Sequence, residues 1–211
     1  MNITETLAQE LNLCPEYVEN VISLLDEGNT IPFIARYRKE MHGSMDDQVI
    51  RQLSDRATYL RGLEKRKEDV MHAISEQGKL TDELTAAIDS AKTLAEVEDL
   101  YRPYKQKRRT RATMAKEKGL EPLAALLFAQ ERDCPRPEEA ARDFVDPEKG
   151  VETVEDALQG ASDIIAEQIS DDAAIRKSLR ALISRQGQLV SRAATEDDSV
   201  YRLYYDFTQS V

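Results

Sequence analysis

Tryptophan is absent, and cysteine and histidine each occur only twice in the 211 residues. Cys14 and Cys134 lie too far apart for a CxxC site, so neither a disulfide framework nor a redox motif is visible. His42 and His72 have no cysteine or second histidine at ligand spacing, which leaves no zinc signature. Eight glycines and seven prolines are too few for a collagen-like or Gly/Pro-rich disordered chain. They also argue against an all-β chain, which needs turn chemistry roughly every 8–12 residues. No window approaches about 18 uncharged apolar residues, so no membrane-spanning run exists. The opening stretch MNITETLAQE has neither a basic n-region nor an apolar h-region. The expectation is a reduced, cytoplasmic protein with no secretory signal.

Catalytic signatures are missing as well. The patterns GxxxxGK[ST], GxGxxG, GxSxG and HExxH do not occur. Paired acids are present at Asp46-Asp47, Glu98-Asp99, Glu138-Glu139 and Asp171-Asp172. General acid–base work needs two carboxyls converging in a cleft, whereas adjacent helical acids diverge. Three of these pairs fall at expected helix starts, where the helix dipole accounts for them. A non-enzyme without metal or cofactor is expected.

What the sequence does contain is charge and helical periodicity. Charged residues make up 33%, and 40 acids against 29 bases give a net charge of −11. Asn2 with Glu5 resembles a capping box, with Leu7 and Leu11 on one stripe. Pro15 suits the first turn of a second helix carrying Val18, Val21, Ile22 and Leu25, with Gly28 at a left-handed C′ position. Thr30 is the expected cap of a third helix, Ile31 to Lys39. After Gly43-Ser44, the stripe Ile50, Leu53, Ala57, Leu60, Leu63, Val70, Ile74 predicts one helix of about 30 residues, roughly 45 Å long, with a bend at Gly62.

Shorter helices are predicted to open at Thr81 and at the capping box Thr93-x-x-Glu96, the latter stopped by Pro103. Another covers Leu120 to Phe128, with Leu123, Leu127 and Phe128 inward. Residues 131–150 read as a linker with a short helix around 138–144. Thr153 and Ser170-Asp171-Asp172 cap two more helices, the last carrying Ile175, Leu179, Leu182 and Ile183. The aromatic cluster Tyr201, Tyr204, Tyr205 and Phe207 close to Val211 reads as the edge of a further domain, and the chain as the front part of a longer protein.

Two basic clusters stand out. Six of the ten residues from Arg102 to Arg111 are basic and none is acidic. Such a run stays at the surface. Either its guanidinium forks contact phosphates, or it pairs with the protein's own carboxylates or an acidic neighbour. Lys105, Lys107, Arg108, Arg109 and Arg111 are the candidate phosphate contacts. Arg36, Arg38 and Lys39 form the auxiliary cluster, with Arg36 and Lys39 expected on one helix face. Lys65-Arg66-Lys67, followed by Glu68-Asp69, reads as a solvated face. The remaining surface repels polyanions: residues 131–200 carry 17 acids and 9 bases.

Several strings are distinctive: GNTIPFIARYRKE over 28–40, YLRGLEKRK over 59–67, EQGKL over 76–80, EDLYRPYKQKRRTRA over 98–112, GLEPLA over 119–124, ALQGA over 157–161 and IIAE over 164–167. They resemble the N-terminal region of the bacterial Tex family of RNA-binding transcription accessory proteins. The departures are Arg102, where an aliphatic residue is usual, and Gln106, where proline is. The resemblance implies a helix-turn-helix-containing all-α region followed by an RNase-H-like domain, helix-hairpin-helix elements and an RNA-binding OB fold. It implies no catalytic activity in this region.

The combined expectation is an all-α scaffold with three parts. Residues 1–43 form a helix-turn-helix-like three-helix unit, 44–130 a long helix with the basic-strip bundle, and 131–211 an acidic helical region. Its role is non-catalytic binding of RNA or DNA, weakly for this stretch alone, through a cation island left unneutralised. The rival is a positioning module that docks downstream domains or RNA polymerase and touches no nucleic acid.

Overall fold

A computed structural model describes residues 2–105, 109–132, 134–195 and 197–211. The fold is predominantly all-α and comprises two compact units, Met1–Val97 and Glu98–Val211.

In the first unit four helices, α1 (Ile3–Leu11), α2 (Pro15–Asp26), α3 (Ile31–Tyr37) and α4 (Lys39–His42), precede α5 (Asp47–Glu76). Asn2 caps α1 by accepting from the Glu5 amide at 3.3 Å. Gly28 takes φ +86° after α2, as expected of a left-handed C′ residue. The start of α5 is capped by Asp46, which accepts from the Val49 amide at 2.8 Å, and Ser44 just before it lies at φ +62°. The 30-residue α5 continues through Gly62. Its first half shares one core with α1–α3, made of Leu7, Val18, Val21, Leu24, Ile34, Ile50, Leu53, Ala57 and Leu60.

Two bidentate pairs brace that packing. Arg56 donates to Glu10 at 2.6 and 2.7 Å, and Arg61 donates to Asp26 at 2.7 Å twice. Lys67 is not on a solvated face: it is 3% exposed, and its ammonium donates to the Asp89 carbonyl at 2.8 Å and meets Glu64 at 3.1 Å. Position 67 falls on the buried stripe of α5 between Leu63 and Val70, and a long side chain there can extend until its charge finds oxygen acceptors. Next come α6 (Asp82–Ser90), capped by Thr81, and α7 (Leu94–Tyr101). The Thr93–Glu96 box is formed in a shifted version, with the Glu96 carboxylate accepting from Lys92 at 2.8 Å.

The second unit contains α8 (Arg111–Glu117), α9 (Glu121–Ala129), α10 (Pro137–Ala141), α11 (Val154–Asp171) and α12 (Ala173–Gln186). Its core is built from Ala112, Ala115, Leu120, Leu123, Ala124, Ala140, Ala141, Val151, Ala157, Ala161 and Ile164. The stretch read as a linker thus contributes buried residues, because Ala140 and Ala141 are small enough to seat α10 on α11. Phe128 is 52% exposed and not inward. Gly160 marks the closest approach in this unit: a Cβ there would strike Leu120 and crowd Ala115.

The C-terminal part departs most from a purely helical reading. Strands β1 (Gln188–Arg192) and β2 (Asp206–Ser210) form an antiparallel pair with Val190 opposite Thr208. Tyr204, in the segment between them, meets Phe207 of β2 edge-on at 5.5 Å. Among the described residues no helix is long and apolar enough to cross a membrane.

Candidate nucleic-acid interface

The strip from 102 to 111 is not a continuous extended run. Pro103 ends α7 and a single 3-10 turn covers Arg102–Tyr104. Thr110 then caps α8 by accepting from the Thr113 amide at 3.0 Å, so Arg111 is a first-turn helical residue. The alternation of Ala112 and Ala115 with polar residues was the overlooked helical signal. Lys107 and Arg108 lie outside the described residues.

The four described cations of the strip each meet a carboxylate of the same chain. Arg102 donates to Asp171 at 2.8 Å, Lys105 to Glu98 at 2.9 Å and Arg109 to Glu117 at 2.7 Å, while Arg111 lies 3.7 Å from Asp163. Thr110 adds a hydrogen bond to Glu167 at 3.0 Å. Asp163, Glu167 and Asp171 are spaced four residues apart on α11 and so share one face. Together with Arg102, Lys105 and Arg111 they line an open cleft of about 480 Å³. The expectation of an unneutralised island is therefore corrected for Arg102, Lys105, Arg109 and Arg111. For Arg102 and Arg111, a ladder of three acids on a downstream helix supplies counter-charges that charge counting along the chain does not reveal.

The pairs are unequal in exposure. The Arg111 and Arg109 side chains are 79% and 69% exposed, whereas Asp163 and Asp171 beneath the strip are only 16% and 13% exposed. Exposed pairs of this kind contribute at most about 1 kcal/mol each.

The auxiliary cluster is arranged differently from the expected single helix. The helix breaks at Arg38, whose φ of −128° separates α3 from α4. Arg36 lies in the last turn of α3 and Lys39 opens α4, so the helical three-residue rule does not place them on one face. Both are exposed, and neither has a carboxylate partner among the described residues. Arg38 is half-buried, donates to the Tyr37 carbonyl at 3.3 Å and lies 5.3 Å from the Phe33 ring centroid. The corner is fixed from inside by His42, fully buried, which donates from Nε2 to the Ile34 carbonyl at 3.1 Å.

One polar constellation escaped the sequence reading. Asp99 is 4% exposed and accepts from Arg176 at 2.6 Å and from Arg180. Burial pushes its carboxyl up, but the hydrogen bonds from Arg180 and Arg176 pull harder, leaving it below the usual carboxylate range. This clamp anchors α12, a helix with four cations and no acid. Its apolar stripe is in the open: Ile175, Leu179, Leu182 and Ile183 are 37–54% exposed. Among the described residues no three His, Cys, Asp or Glu side chains converge as metal ligands.

Comparison with known proteins places these features in a family. A model described as Tex-like protein N-terminal domain matches residues 1–75, and one described as Tex central region-like matches residues 133–211. The chain is 46% identical to the YdcI protein of Bacillus subtilis (strain 168) over 213 residues, covering 99% of this chain and 30% of that one. It is 42% identical to the transcriptional accessory protein Tex of Neisseria gonorrhoeae over 208 residues, covering 98% and 27%. S1 RNA-binding domain-containing protein 1 of Homo sapiens is 30% identical over 173 residues, covering 81% and 17%. The chain spans less than a third of the length of these relatives. With both regional models matched in order and identity sustained across nearly all of its residues, the chain belongs to the Tex family of transcription accessory proteins.

Proposed function

We propose that this chain is the N-terminal helical scaffold of a cytoplasmic transcription accessory protein that binds RNA or DNA without catalysing a reaction on it. The carrying observation is the exposed pair Arg36 and Lys39, which has no carboxylate partner among the described residues on a chain of net charge −11. With Arg38 beside them they form the helix-turn-helix-like unit's phosphate-contacting edge. Arg109 and Arg111 contribute second, because a phosphate competes with their exposed and weak ion pairs. Lys105 is held to Glu98, and Lys107 and Arg108 complete the strip. A relative carries an S1 RNA-binding domain in its name, which supports nucleic acid as the ligand class of the longer protein.

Titration against labelled single- and double-stranded oligonucleotides tests this reading. Two or three phosphate contacts on a single strand predict a loss of roughly tenfold in affinity between about 50 and about 200 mM salt. Arg36→Glu/Lys39→Glu removes most of the binding, and Arg109→Glu/Arg111→Glu removes less. Equal binding by wild type and both variants defeats the proposal.

The second reading is a positioning module that docks RNA polymerase or the rest of the protein. It is favoured by α12, an amphipathic helix without a buried residue. Retained polymerase binding by the Arg36→Glu/Lys39→Glu variant and its loss on Leu179→Glu/Ile183→Glu would select it.

A further inference from the structure

The α3–α4 corner displays aromatic rings as well as cations. Phe33 and Tyr37 are one helical turn apart, with centroids separated by 5.3 Å and planes inclined at 46°. The Arg38 guanidinium lies over the Phe33 ring, 5.3 Å from its centroid. The result is a row of Arg38, Phe33 and Tyr37, with Tyr37 at its open end. Tyr37 is 62% exposed and Phe33 36%.

These rings do not serve the core. Ile34 is the core residue of α3, fully buried against the rest of the first unit, with its carbonyl held by His42. Pro32 fixes the backbone immediately before Phe33. The aromatic pair is thus presented on a helix that is anchored through Ile34. Between residues 31 and 42 the sequence has three cations, Arg36, Arg38 and Lys39, and one acid, Glu40.

We infer that this corner is a stacking platform for an unpaired nucleotide, with the base over Tyr37 and the adjoining phosphates met by Arg36 and Lys39. The inference deepens the proposed function and rests on it. A base inside a duplex has both faces covered, so an exposed ring selects an unpaired strand. Aromatic stacking accepts any base, and nearby cations supply the sequence-independent attraction to the backbone. Arg38 backs Phe33 through a cation–π contact, which keeps the row in place without a ligand.

The test uses the 211-residue chain and three fluorescein-labelled strands of equal length: oligothymidylate, oligouridylate and an abasic deoxyribose-phosphate strand. Anisotropy should show both base-bearing strands binding about tenfold tighter than the abasic one, the size expected for one stacked base. Tyr37→Ala should remove that advantage, and Tyr37→Phe should restore it. Neither change touches a buried position, so the melting temperature monitors that the fold is intact. The tighter of the thymidylate and uridylate strands identifies whether DNA or RNA is preferred. Equal binding of base-bearing and abasic strands, or full binding by Tyr37→Ala, overturns the platform and leaves the phosphate reading standing. No binding to any strand overturns both.

Discussion

At the residue scale, single side chains set how tightly the pieces close. Gly160 is the clearest case, since Leu120 occupies the space a Cβ would need. Gly160→Ala is expected to cost about 1–3 kcal/mol through overpacking, read from a urea midpoint shift. Asp99 is the buried partner of two arginines whose own side chains stay 32% and 40% exposed. Asp99→Ala leaves those guanidiniums in partial water, so a loss of about 2 kcal/mol is expected, accompanied by faster proteolysis within α12. Leu123→Ala should cost more, about 2–5 kcal/mol, because its side chain is fully enclosed.

At the element scale, helices with equal amphipathic patterns meet different fates. The α5 stripe is covered, while that of α12 is open, although their sequences look alike in periodicity. Leu179→Gln/Ile183→Gln should therefore change fold stability by less than about 0.5 kcal/mol while lowering the binding of a hydrophobic dye. The ion pairs on α5 predict a pH dependence. The hydrogen bond from Arg56 holds Glu10 below its usual value, and that from Arg61 does the same for Asp26. Carboxyls with lowered folded values stabilise above the unfolded range of 3.8–4.5, and that stabilisation disappears as pH falls through their folded values. Denaturation midpoints should hold steady above about pH 5 and fall below about pH 4, with Arg56→Met/Arg61→Met showing a shallower acid limb.

At the scale of the whole molecule, local signals in the sequence were readable and distant pairings were not. The caps at Asn2, Thr81, Thr93 and Thr153, the left-handed Gly28 and the 30-residue α5 all follow from residues within a few positions of each other. Lys67 required knowledge that Asp89 would lie above it, and Asp99 that Arg176 and Arg180 would reach it across some 80 positions. The basic strip misled partly for the same reason: the counter-ions of Arg102 and Arg111 sit on α11, more than fifty residues downstream, while Lys105 and Arg109 pair with acids seven and eight residues away. The α3–α4 break at Arg38 was hidden because helix propensity there is unremarkable and the buried His42 decides the corner. The ladder on α11 has one more consequence. An incoming polyanion and the acids of α11 compete for the Arg102 and Arg111 guanidiniums, so occupancy of the strip displaces those two ion pairs. Asp163→Asn/Asp171→Asn would settle this contest in advance, turning an inert seam into a heparin-retained surface.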